Sequence, residues 1–165
     1  METLINLISL TLLFDSYSLL IKIVLILLLL FSSALISGSE VAFFSLSNTD
    51  IKKASKSSNK ALKLISELRN KPRRLLAVLL VSNNFINISI VLLLSSLGEL
   101  FNFYVLPPWA NFILEVGFIT LLILLFGEIL PKVYAHRNPI EFSKKMALSI
   151  QILDKYIFFF LTIPM

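Results

Sequence analysis

The chain has 165 residues, 57% of them apolar and only 15% charged, with a net charge of +5, no cysteine and one histidine. Soluble domains average about 45–50% apolar and about 25% charged, so a soluble fold of this length could not hide the excess. Disulfide scaffolds, thiolate metal sites, thiol catalysis and multi-histidine metal sites are excluded as well.

In chain order, residues 1–18 form an apolar start too short to cross a bilayer alone. They lack the basic flank and small-residue cleavage pattern of a signal peptide, and read as a peripheral helix. Ile23–Ser39 is free of charge, and with its flanks (residues 19–46) it reaches spanning length; Lys22 can snorkel to the interface. Residues 47–74 read as a basic amphipathic helix that Asn70-Lys71-Pro72 ends, held to the inner leaflet by anionic lipid or serving as a docking surface for a soluble partner. Leu75–Gly98, between Arg74 and Glu99, is the clearest span. Leu106-Pro107-Pro108-Trp109 reads as a turn with an interfacial aromatic anchor, and a third span follows over residues 110–131. The tail, 140–165, is apolar but carries Asp154-Lys155, which would be expensive at mid-membrane, so it reads as a juxtamembrane helix. The fold class is therefore an all-α membrane protein of three transmembrane helices with amphipathic juxtamembrane helices.

Orientation follows from the basic residues. Residues 51–74 hold nine Lys and Arg, and Lys132, Arg137, Lys144 and Lys145 follow the third span, whereas residues 1–18 and 99–115 hold none. The positive-inside rule predicts an external N-terminus, with the basic segment and the C-terminus in the cytoplasm.

Polar residues inside the spans carry the functional information. The first span has Ser32, Ser33, Ser37-Gly38-Ser39 and Glu40; the second has Ser82-Asn83-Asn84 and Asn87; the third has Gly127-Glu128 and Pro131-Lys132. At a rise of about 1.5 Å per residue, Ser37, Asn84 and Glu128 all lie roughly 10–20 Å from the basic edge, so the three spans place polar groups in one layer. Ser33 and Ser37 share a helix face, as do Asn83 and Asn87; helix rotation leaves open whether Asn83 or Asn84 points inward. Pro131 has no N–H, so the carbonyl of Gly127 loses its helical partner beside the Glu128 carboxylate, which reads as a discontinuous-helix ion site. Hydroxyl, amide and carbonyl oxygens with one carboxylate suit a hard cation such as Mg²⁺, Ca²⁺ or Mn²⁺, although the spacing alone does not separate Mg²⁺ from Na⁺.

Each element also has a structural explanation. Serine and glycine pack helices together, and asparagines bond across them. Glu128 could pair with Lys132 one turn on, although Glu40 is the better partner for that lysine. His136 beside Arg137 reads as an interfacial cation or cap.

Ser-Gly-Ser-Glu-Val-Ala-Phe-Phe-Ser-Leu-Ser (37–47), Ser-Asn-Asn-Phe-Ile-Asn-Ile (82–88) and Gly-Glu-Ile-Leu-Pro-Lys (127–132) resemble, in order and spacing, the signatures of the CNNM/CorC magnesium transporter family, whose membrane module is called DUF21. The resemblance covers about Leu19–Met165. It implies a homodimer in the bacterial inner membrane, each protomer holding one Mg²⁺ site open to the cytoplasm, and Mg²⁺ export exchanged for Na⁺. Carried over by motif, the ligands are Ser33, Ser37, Asn83 or Asn84, Gly127 and Glu128. Family members continue into cytoplasmic CBS domains that bind adenine nucleotide; none lies in this chain, and they are expected beyond Met165. Gliding-motility and hemolysin-like relatives carry similar motifs, so a membrane anchor or assembly subunit, with the polar layer serving dimer packing, is the alternative. An enzyme is not expected: no His-Glu-x-x-His motif or Ser/His pair lies at membrane depth.

Overall fold

The computed structural model describes the backbone of residues 2–97 and 107–162, with side chains from Ser16 to Ile157 apart from Glu115. The side chains expected to line the peripheral start, the tip of the 99–115 connection and the Phe158–Phe160 run lie outside the described residues. Among the described residues the chain is helical, with no strand.

Helix α1 runs unbroken over Glu2–Ser45, so the start expected to lie peripherally continues the first span as one helix. Ser47 then closes a reciprocal cap with Asp50 and opens α2, Asn48–Lys56. The expected single basic helix is two. Ser57 adopts an extended backbone, and the Asn59 side chain accepts from the Ala61 amide to start α3, Lys60–Arg69. Such local side-chain bonds compete with continuing the helix, which is why this polar stretch breaks it.

Pro72 occupies the first turn of α4, Pro72–Ser95, where a missing N–H costs nothing. Proline again starts α5, Pro108–Leu122. This helix passes through a π-helical stretch, Ile123–Ile129, into α6, Leu130–Arg137, and α7 follows over Pro139–Thr162. Three helical stretches, Ser16–Ser45, Pro72–Ser95 and Pro108–Arg137, are long and apolar enough to cross a membrane. Leu27, Phe31, Phe85, Leu92, Phe112 and Leu121 stand exposed along them, as lipid-facing side chains do.

Two apolar cores hold the helices. At the basic end, Phe43 of α1, Ile65 and Leu68 of α3, Leu75 and Leu79 of α4, and Ala147 and Ile150 of α7 pack together. At the far end, Ile26 of α1 meets Ile90 and Leu94 of α4 and Ile119 of α5. Helices α1 and α4 are therefore antiparallel. Between the two cores, α1 carries Ser33 and Ser37 and α4 carries Ser82, Asn83 and Asn87. At the far end, Lys22 extends along the bundle and its Nζ donates to the Ser96 carbonyl at 3.3 Å, a favourable place for a cation at a helix C-terminus.

Candidate intramembrane cation site

The site begins with backbone. Within the third span the Leu130 N–H reaches back five residues to the Leu125 carbonyl, which widens the turn that carries Gly127 and Glu128. Pro131 follows at once, without the N–H that an α-helical bond to Gly127 needs. The expected interruption thus takes the form of a π-bulge in a continuous helix, a form that recurs at functional sites. Gly127 is buried against α1, and a Cβ there would stand 3.0 Å from Ser33 Oγ. Only glycine admits that approach without a shift of the serine.

Three helices meet at Ser33, which is fully buried. Its Oγ lies 2.8 Å from Asn87 Oδ1 and 3.2 Å from Asn83 Oδ1. The Asn87 amide then donates from Nδ2 to Glu128 Oε1 at 3.1 Å. Serine has one proton, so its hydroxyl serves one of the two amide oxygens. The shorter contact takes it, leaving the Asn83 oxygen facing the serine oxygen without a hydrogen between them. A half-turn of the Asn83 amide would relieve that pairing, and so would a cation.

Of the residues singled out by sequence, Ser33, Asn83, Gly127 and Glu128 come together. Ser37 lies one turn further along the same face of α1, 1% exposed, with its hydroxyl unpartnered. Asn84 is on the exposed face of α4 and does not join them. Asn87 links the serine to the glutamate and stood outside the ligand set. Its signal was its position four residues after Asn83, on the same face. Ser32 and Ser39 bond to carbonyls of their own helix, at Leu28 and Leu35. Lys132 turns from Glu128 to Glu40, Nζ to Oε2 at 3.4 Å, and Glu128 accepts from the Asn87 amide instead. His136 is exposed and its Nδ1 lies 3.3 Å from Ser45 Oγ.

Among the described residues, no three His, Cys, Asp or Glu side chains gather into a cluster. The donors of this site are instead hydroxyl and amide oxygens with a single carboxylate, the hard set that alkaline-earth and alkali cations take.

Three spanning helices enclosing a buried polar layer define a multi-pass α-helical membrane domain. Residues 23–165 match the family described as the cyclin M (CNNM) transmembrane N-terminal domain, and the chain belongs to that family. It is 33% identical over 107 residues to the UPF0053 inner membrane protein YfjD of Escherichia coli K12, covering 65% of this chain and 24% of that protein. A UPF0053 protein of Haemophilus influenzae is 31% identical over 137 residues, 82% of this chain and 31% of its own length. One from Synechocystis is 27% identical over 128 residues, 78% of this chain and 36% of its own. The chain thus spans a quarter to about a third of the curated relatives it matches.

Proposed function

We propose that this domain carries Mg²⁺ across the membrane, in exchange for Na⁺, through the oxygen site on α1, α4 and the π-bulge. One observation carries the reading. Adjacent ligands of an octahedral Mg²⁺ at 2.0–2.1 Å lie about 2.8–3.0 Å apart; Ser33 Oγ stands 2.8 Å from Asn87 Oδ1, within that spacing, and 3.2 Å from Asn83 Oδ1, slightly beyond it. Larger cations spread their ligands further. In this reading Ser33, Asn83 and Asn87 contribute side-chain oxygens, Gly127 its carbonyl and Glu128 the negative charge, while Ser37 supplies a hydroxyl along the path. The ion sheds water against these groups on entering from the cytoplasm and is released when the helices rock outward.

The working unit is a homodimer. Asn84 points out from α4 beside Leu80, Ile88 and Val91. An amide in hydrocarbon is costly unless another helix satisfies it, so a second copy covers this face.

A second reading has an observation in its favour. Ser33, Asn87 and Glu128 already form a closed hydrogen-bond chain, as polar glue between helices would. It makes the domain an anchor or assembly subunit. Flux of Mg²⁺ and Na⁺ in proteoliposomes separates the two: transport requires flux in the wild type that Glu128→Gln abolishes, whereas an anchor shows no flux in the wild type and a weaker dimer in the variant. In detergent, Asn87→Ala removes Mg²⁺-dependent thermal protection and Asn84→Ala retains it. Protection that survives Asn87→Ala overturns the ligand assignment.

A further inference from the structure

The seam where α7 crosses α4 holds two adjoining cavities that the cation site does not use. The first, of about 360 Å³, opens at the start of α4 and is lined by Glu67, Asn70, Lys71, Arg74, Gln151 and Asp154. The second, of about 410 Å³, is an almost wholly apolar slot between Ile36, Ser82, Phe85, Leu153 and Tyr156. Leu153 and Asp154 are successive residues of α7 and line the slot and the polar cavity in turn.

We propose that this seam binds one phospholipid with a phosphoethanolamine headgroup, the headgroup in the polar cavity and an acyl chain in the slot. Charge chooses the headgroup. Two cations and two carboxylates line the polar cavity, so its net charge is zero. Arg74 Nε and Asp154 Oδ1 hold each other at 2.6 Å. The remaining Lys71 and Glu67 are exposed and form no ion pair among the described residues. One charge of each sign is thus left for a ligand that carries a phosphate and an ammonium. No side chain caps the first turn of α4 beside Lys71, which adds backbone attraction for the phosphate. A primary ammonium donates hydrogen bonds to Glu67. A quaternary choline cannot, and a purely anionic headgroup meets two carboxylates with no cation of its own.

The slot supplies independent support. Ser82 is 7% exposed and its buried Oγ has no partner, although its walls are otherwise hydrocarbon. An unpaired hydroxyl there is costly, and a glycerolipid brings ester oxygens that accept from it. Ser82 lies about 12 Å along α4 from Arg74 at 1.5 Å per residue, inward from the headgroup cavity, where the upper chains of a lipid follow.

The test is native mass spectrometry of the full chain, released from nanodiscs that contain equal phosphatidylethanolamine, phosphatidylcholine and phosphatidylglycerol. We expect phosphatidylethanolamine to be the retained lipid. Glu67→Gln and Lys71→Ala should each lower its occupancy at least threefold, and so should Val81→Trp, which fills the slot without touching the headgroup residues. All three retain Mg²⁺-dependent thermal protection, which keeps this result separate from the cation site and reports a folded protein. Equal retention of the three lipids, a preference for phosphatidylglycerol, or unchanged occupancy in Glu67→Gln and Val81→Trp overturns the proposal. So does cross-linking of Val81 to a second copy, which would make the slot a protein interface.

Discussion

Two glycines let helices approach α1 closely, and they do different work. At Gly127 a Cβ would meet Ser33 Oγ at 3.0 Å, so the missing side chain makes room for a polar atom. At Gly38, only five residues further along α1 than Ser33, a Cβ would meet the Phe142 ring at 2.6 Å, so the missing side chain makes room for an apolar wall. The same residue type thus admits a polar contact in one region and an apolar one in the next. Sequence alone, which shows Ser-Gly-Ser in one motif and Gly-Glu in another, gives no means of telling these apart.

The largest effect separates the two regions outright. Glu128→Gln should abolish Mg²⁺-dependent protection against heat unfolding in detergent, while Gly38→Ala should keep the Mg²⁺ response on a less stable protein. Gly127→Ala comes next. It should weaken the Mg²⁺ response at least tenfold, about 1.4 kcal/mol, as read from the Mg²⁺ concentration needed for half-maximal protection. Gly38→Ala should cost about 1–3 kcal/mol of stability by overpacking. Adding Phe142→Leu should recover part of that loss, and a strictly additive pair would refute the contact. Gly117 is the control. Nothing lies within 4 Å of a Cβ there, so Gly117→Ala should stabilise α5 by up to about 1 kcal/mol through helix propensity; a loss would show an unrecognised neighbour.

The smallest effect lies outside the membrane. The Ser47 hydroxyl and then its backbone N–H hold the Asp50 carboxyl below its ordinary 3.8, and Lys53 adds to this. A depressed carboxyl pKa stabilises the fold above the unfolded value and ceases to do so as pH falls through the folded one. A small loss of α2 helicity below about pH 4 is therefore expected, and Asp50→Asn should flatten it in circular dichroism.

Much of this was legible in the chain. Two charge-free runs and a third apolar stretch whose charges are two glutamates gave three spans, because hydrocarbon excludes charge so strongly that its thickness is written in the sequence. The common depth of Ser37, Asn84 and Glu128 followed from rise per residue, and the sequence also offered Glu40 as the partner of Lys132, the pair the structure forms. Rotation was not legible. Asn83 and Asn84 differ by about 100° around one helix, and only the packing of α4 on α1 turns the first inward and the second out. Pro131 announced a disturbed helix, yet whether a helix breaks or bulges depends on what its neighbours hold in place. The split between α2 and α3 rests on the Asn59 cap, whose weight against the amphipathic pattern is a difference of small energies.

The polar layer sits under covers of unequal thickness. Among the described residues, ten buried side chains close the basic end and five close the other. Local opening is easiest where the fewest apolar contacts must part, so backbone amides around Ile90 and Leu94 should exchange with deuterium sooner than those around Leu75 and Leu79. Among the described residues, the thinner apolar cover marks the side of the bundle that yields first.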